Sequence, residues 1–198
     1  VLGQGNADSS VGAKASSGGW DYASEVCFPF GFGLSYTTYE YTMDSLEYDA
    51  DADIFTATVT VANTGAMDGK ASVQLYLQSP YTDYDKENGV EKSAIQLLAY
   101  DKVDVATGDS ETVTLEVPGY LLASYDSHGA KGYILDAGDY YFAVGNGAHE
   151  ALNNVLALKC GDAASGKLVD HDGNVVTGTP AAAAKWTSIN TAVDTEKY

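Results

Sequence analysis

Ile54–Asn63 alternates without a break. Phe55, Ala57, Val59 and Val61 point one way, and Thr56, Thr58 and Thr60 point the other. A period of two with threonine outward is the pattern of a half-buried antiparallel strand. Glu111–Val117 repeats it, with Val113, Leu115 and Val117 on the inner face. Between them, Ala71–Gln78 places Val73, Leu75 and Leu77 inward before Pro80 stops it. A chain written this way must bury one face of each strand against a second sheet.

The rest of the middle region follows suit. Phe28–Tyr41 begins with a Pro and two Gly that bend the chain, then runs into β-formers. Tyr36–Leu46 predicts a first strand with Tyr39, Tyr41 and Met43 on one face, and Tyr48–Asp53 predicts an acidic turn. Asn63-Thr64-Gly65, Asp68-Gly69 and Thr107-Gly108-Asp109-Ser110 are further turns. Ser93–Val105 is apolar again. Leu121–Tyr125 reads as a helical turn or a strand end. Lys131–Leu135 and Gly138–Val144 predict a hairpin, and Leu152–Leu158 a final strand. The expected fold class is all-β: an antiparallel β-sandwich of about seven to nine strands, the architecture shared by immunoglobulin-like domains. No propeller or solenoid repeat is present.

The flanks differ. Residues 1–27 are Gly- and Ser-rich and read as a linker from a preceding domain, with Trp20 and Tyr22 docking on a neighbouring surface. The sandwich is expected over 28–160. Residues 161–198 read as an extended tail or inter-domain linker, with Trp186 and Ile189 as isolated anchors. Val1 is not Met, and residues 1–20 have neither the basic start nor the apolar core of a signal peptide, so the chain reads as part of something longer. The lack of Asn-x-Ser/Thr sites and of an obvious disulfide favours a cytoplasmic parent. Cys27 and Cys160 can form at most one bridge, and buried free thiols are the expectation.

Charge narrows the partners. With 28 acidic and 10 basic residues among 198, the net charge is −18. Such a polyanion repels phosphate backbones and anionic lipid heads, which argues against nucleic acid and membrane partners. No apolar run reaches the roughly 18 residues needed to span a bilayer. Fifteen Tyr against five Phe suits strands with one wet face, since Tyr buries a ring and keeps its hydroxyl solvated.

Candidate chemistry is sparse. Gly31-Phe32-Gly33 lacks the third Gly and the following helix of a dinucleotide fingerprint. Asp83, Asp85, Glu87, Asn88 and Gly89 resemble a calcium loop, but Asn88 and Ala94 stand where the EF-hand needs Gly and Glu. Asp170, Asp172, Gly173 and Asn174 form a shorter run without a closing Glu. His128, His149 and His171 lack zinc spacing, and there is no Gly-x-Ser-x-Gly elbow. Paired carboxylates hydrolyse glycosides only in a dry cleft, which a small sandwich rarely provides. No catalytic, cofactor or metal residue is therefore assigned. The polar stretch Tyr81–Lys92, about a dozen residues, is longer than an ordinary hairpin loop. Its Tyr81, Tyr84 and Asp85 are the candidate residues for contact with a sugar.

Four motifs in order carry a resemblance. They are Phe30-Gly31-Phe32-Gly33-Leu34-Ser35-Tyr36-Thr37; Val61-Ala62-Asn63-Thr64-Gly65 with Asp68-Gly69 and Val73-Gln74-Leu75-Tyr76; Leu97-Leu98-Ala99-Tyr100-Asp101-Lys102-Val103 with Thr107-Gly108-Asp109-Ser110; and Gly138-Asp139-Tyr140 through Val144-Gly145. Together they resemble the fibronectin III-like domain of family 3 glycoside hydrolases, the β-glucosidase group, over about residues 28–150. Tyr100, Thr107 and Asp109 depart from the family's Phe, Pro and Glu. The resemblance implies an accessory domain packed beside α/β and barrel domains, which carry the catalytic groups and bind the glycoside or oligosaccharide. It implies that Tyr81, Tyr84 and Asp85 stand near the rim of the active site, and that this chain alone is inactive. The length of the tail is compatible with a barrel domain following it. Two rivals stay open: a free-standing carbohydrate-binding or adhesive sandwich, and a calcium-stabilised extracellular module.

Overall fold

The structure is a computed structural model that describes residues 26–160 and 177–198. Its strands are β1 (Tyr39–Asp49), β2 (Ile54–Asn63), β3 (Gly69–Gln78), β4 (Gln96–Val105), β5 (Ser110–Pro118), β6 (Ser124–Asp126), β7 (Gly132–Ile134), β8 (Asp139–Gly145) and β9 (Ala183–Thr187). Helix α1 (Asp83–Asn88) lies between β3 and β4, and helix α2 (Ala148–Cys160) follows β8. One sheet has the order β1-β2-β5 and the other β4-β3-β8-β9, with β6 and β7 paired apart from both. Every strand pairing is antiparallel. The expected β-sandwich is what forms.

The alternation seen in the sequence is the register of the core. Across the first sheet Val59 stands opposite Met43 and Val113, and Phe55 opposite Tyr48 and Val117. Phe55, Val59, Val61, Val113, Leu115 and Val117 meet Val73, Leu75, Leu77, Phe142 and Val144 from the second sheet. Each such side chain contributes about 1.5–3 kcal/mol on full burial. The second sheet is covered on its outer face too. There Tyr76 and Ala143 pack against Ala151 and Val155 of α2.

Four expectations are corrected. Leu152–Leu158 is not a strand but part of α2. A short apolar run fits either element, and Ala, Leu, Glu and Lys here favour helix. The hairpin expected over Lys131–Val144 does not form: β7 pairs with β6, and β8 goes to the centre of the second sheet beside β3. The tail does not run away from the domain over 177–198. Its β9 pairs with β8, placing Ala183 opposite Ala143 and Trp186 opposite Tyr140. Trp186 is no isolated anchor, because its ring lies 4.9 Å from Phe55 and 5.5 Å from Tyr140. Cys27 is a free and exposed thiol, not a buried one, because it lies on the segment before β1 rather than in a core strand. Trp20, Tyr22, Asp170, His171, Asp172, Gly173 and Asn174 lie outside the described residues.

Asn63 shows how the turn after β2 is fixed. It is buried, and its amide makes four hydrogen bonds. Its Oδ1 accepts from Thr37 Oγ1 at 2.6 Å and from the Gly65 N–H at 3.1 Å. Its Nδ2 donates to the Met67 carbonyl at 2.8 Å and to the Val105 carbonyl at 3.0 Å. Both donors and both acceptor positions are in use, so no residue of another shape replaces it. Gly65 must be glycine for space, since a Cβ there would sit 2.1 Å from Thr37 Oγ1. Asn63→Ala is expected to lower stability by about 2–3 kcal/mol, because buried partners are left unpaired. Urea denaturation checks this; a loss below about 0.5 kcal/mol, as for an ordinary surface change, would refute it.

Candidate functional site

The stretch singled out in the sequence, Tyr81–Lys92, is not an open loop. Thr82 caps α1, its Oγ1 accepting from the Asp85 N–H, while the Asp85 carboxylate accepts from the Thr82 N–H at 2.6 Å. This reciprocal box satisfies donors at the helix start. Gly89 closes the helix in the left-handed conformation, at φ 63°. Lys86 pairs with Asp83 at 2.8 Å on the surface.

The three nominated residues separate. Tyr81 presents its ring to solvent. Tyr84 is half-buried and donates its hydroxyl to Asp126 Oδ2 at 2.7 Å. Asp85 does not reach the surface at all. Its Oδ2 meets Lys92 Nζ at 2.8 Å, and Lys92 also pairs with Asp136 and donates to the Pro80 carbonyl at 3.0 Å. Asp85 therefore turns into a buried ion network and not to solvent, because the capping box points its side chain back under the helix start. The acidic run does not form a calcium loop, since Asp83 faces out and Asp85 faces in. Among the described residues no three His, Cys, Asp or Glu side chains converge on a possible ion.

Lys92, Asp85 and Asp136 deserve comparison with a hydrolytic pair. Burial raises the Asp136 carboxyl above its ordinary range, against the opposing pull of Lys92. That is the behaviour of a general acid. Access is missing, however. Asp85 and Asp136 are 0% and 1% exposed, and a lysine lies between them where a glycosidic bond would have to enter. The network instead ties three chain segments together: β3's exit at Pro80, the loop before β4, and the approach to β8. Beside it, Thr82, Tyr84, Ala137, Thr191 and Val193 line an open groove of about 440 Å³.

A second polar knot sits under the β6–β7 hairpin. Asp126 is fully buried and accepts from the N–H groups of His128 at 2.9 Å, Gly129 at 2.8 Å and Ala130 at 2.7 Å, besides Tyr84. The Ala130 N–H is the largest influence holding its carboxyl well below the usual range; burial opposes it, and the Tyr84 hydroxyl and the other two N–H groups assist. His128 is an exposed loop residue, 3.0 Å from Ser127 Oγ. Lys92, Asp126 and Asp136 escaped the sequence reading, because nothing local to them signals burial. The alternation Tyr125-Asp126 and Tyr133-Ile134 is the one visible signal of a hairpin with an inner and an outer face.

Residues 71–148 match the family model of the fibronectin type III-like domain. The sandwich is of that class, as the three-on-four sheet arrangement indicates. Its relatives include several β-glucosidases, and also an exo-α-(1→6)-L-arabinopyranosidase of Bifidobacterium longum and a xylan 1,4-β-xylosidase of Xylanibacter ruminicola. The chain is 36% identical over 131 residues to a β-glucosidase of Ruminococcus albus, covering 64% of this chain and 13% of that one. A solved β-glucosidase of Paenibacillus barengoltzii aligns at TM-score 0.54 and 37% identity, over 63% of this chain and 14% of that one. A GH3 β-glucosidase of Bifidobacterium adolescentis aligns at TM-score 0.52 and 28% identity, over 64% and 18%. The chain thus spans less than a fifth of each of these relatives.

Lys92→Met is expected to destabilise by about 3–5 kcal/mol, because it leaves two carboxylates buried together. A denaturation midpoint that stays put would show that the network carries no weight. Asp126 contributes stability that is full above the ordinary carboxylate pKa, about 4, and is lost as pH falls through its depressed folded value. The gap in stability between the native chain and Asp126→Asn should therefore be widest at neutral pH and close on acidification. A gap that widens in acid would contradict this assignment.

Proposed function

We propose that this chain is the accessory, non-catalytic fibronectin III-like part of a glycoside hydrolase of the β-glucosidase kind. In that protein it packs beside the domains that hold the catalytic groups and bind the glycoside. The coverage of its relatives supports this reading.

One observation carries it furthest. Phe28, Phe30, Leu34 and Tyr36 are 70%, 66%, 91% and 92% exposed, on a segment whose backbone is pinned to the sandwich. The Phe30 carbonyl accepts from the Ala148 N–H at 2.8 Å and the Gly31 carbonyl from Gln74 Nε2 at 3.1 Å, while within the segment the Pro29 carbonyl closes a turn by accepting from the Phe32 N–H at 3.0 Å. Gly31 adopts φ 82°, where a Cβ would lie 2.3 Å from Gln74 Oε1. The main chain is fixed inward while the rings face out. A run of exposed apolar side chains on a fixed backbone suits a contact surface, and a neighbouring domain of the same polypeptide fits it.

Replacing Phe28, Phe30 and Leu34 by Ser should change the stability of the isolated chain by less than about 0.5 kcal/mol. In the longer polypeptide the same triple variant should lower the melting temperature and activity. Equal melting of variant and native longer polypeptides would remove the packing role. The isolated chain should show no hydrolysis of aryl β-glucosides above a buffer blank; turnover abolished by one carboxylate substitution would overturn the non-catalytic reading.

A further inference from the structure

We propose that the outer face of the β6–β7 hairpin, with the cleft beside it, is a binding site for a neutral oligosaccharide. The choice of a β-linked glucan as ligand rests on the function proposed above; the site itself rests on geometry.

The hairpin has two unlike faces. Asp126 and Ile134 point inward and are buried, whereas their neighbours Tyr125 and Tyr133 point outward at 57% and 55% exposure. The two tyrosines are directly opposed across the strand pair. Their ring centroids lie 5.4 Å apart with planes at 74°, so one ring supports the other edge-on and leaves an aromatic face free. A two-stranded hairpin alone is marginal in water. This one is held from beneath, because Asp126 gathers three backbone N–H groups of the connecting turn and the Tyr84 hydroxyl of α1. Neither ring contributes to the core clusters, so the hairpin is a rigid mount for side chains that the fold does not use.

Tyr125 also forms one wall of a separate cleft of about 160 Å³, whose other walls include Ser79, Glu91, Ser93, Gln96 and Ser124. Hydroxyls, a carboxamide and a carboxylate thus sit next to an exposed aromatic ring. That combination suits a pyranose, which offers a C–H face for stacking and hydroxyls around its rim. The net charge of −18 disfavours an acidic sugar, so the ligand class is a neutral one. The site differs from the one nominated in the sequence: Tyr84 serves here as a support under the hairpin.

Titration of cellohexaose into the 198-residue chain, followed by calorimetry and by amide chemical shifts, tests this. Saturable binding with a dissociation constant on the order of 1 mM or tighter is expected, with shifts centred on residues 124–133 and 91–96. Tyr125→Ala should weaken it about five- to tenfold. Tyr125→Trp should retain it, and the Tyr125→Ala, Tyr133→Ala double variant should abolish it while leaving the melting temperature unchanged. No saturation by about 10 mM, or binding that survives the double variant, would overturn the proposal. A negative titration leaves the accessory role standing, since the triple variant of the N-terminal segment tests that role separately.

Discussion

The two sheets are held in one domain by an aromatic cluster at one end of the core. Phe55 of the first sheet stacks on Tyr48 at 4.4 Å, meets Phe142 of the second at 5.2 Å and takes the edge of Trp186 at 4.9 Å. Rings at such angles gain about 0.5–1.5 kcal/mol per pair beyond the area they bury. Trp186 is the piece that closes the cluster, and it arrives from the last strand. Lys197 and Tyr198 then reach back to Asp53, each at 2.7 Å, fastening the segment after β9 to the turn that precedes β2. The sandwich is therefore completed by residues distant in sequence from the strands that they join.

That distance explains what was legible in the sequence. β2 and β5 could be read residue by residue, because one face meets the core and the other meets water, and alternation records that difference directly. β3 was read only on its inner face. Gln74 and Tyr76 belong to an outer face that is dry because α2 and the Phe30–Gly31 backbone lie over it, and no pattern within β3 announces a cover from elsewhere. β9 holds three residues of little pattern, Ala183, Ala184 and Lys185, before Trp186, so its membership in a sheet depends on its partner β8 and not on itself. The same holds for the site. Asp85 looks like a loop acid until Lys92 and Asp136 are brought to it from opposite sides.

A common device underlies both outward-facing aromatic groups. In the N-terminal segment, Gln74 and the start of α2 hold the backbone; in the β6–β7 hairpin, Asp126 does. In each case a buried polar side chain takes up the main-chain N–H or carbonyl groups of a segment too short to stabilise itself. The rings are then released from any duty to the core and kept in a fixed orientation. Fixing the backbone in advance lowers the entropy lost when a partner binds.

The late arrival of β9 also sets where this domain can be cut. The segment that matches the family model ends within the first residue of α2, well before β9 begins. A fragment trimmed there, or anywhere before Ala183, would keep most of the apolar residues and still leave β8 as a bare sheet edge. Its unpaired N–H and C=O groups would offer a template to any extended chain nearby. For this molecule, a boundary drawn at the end of the family match keeps most of the core but omits the strand that covers the open edge of β8.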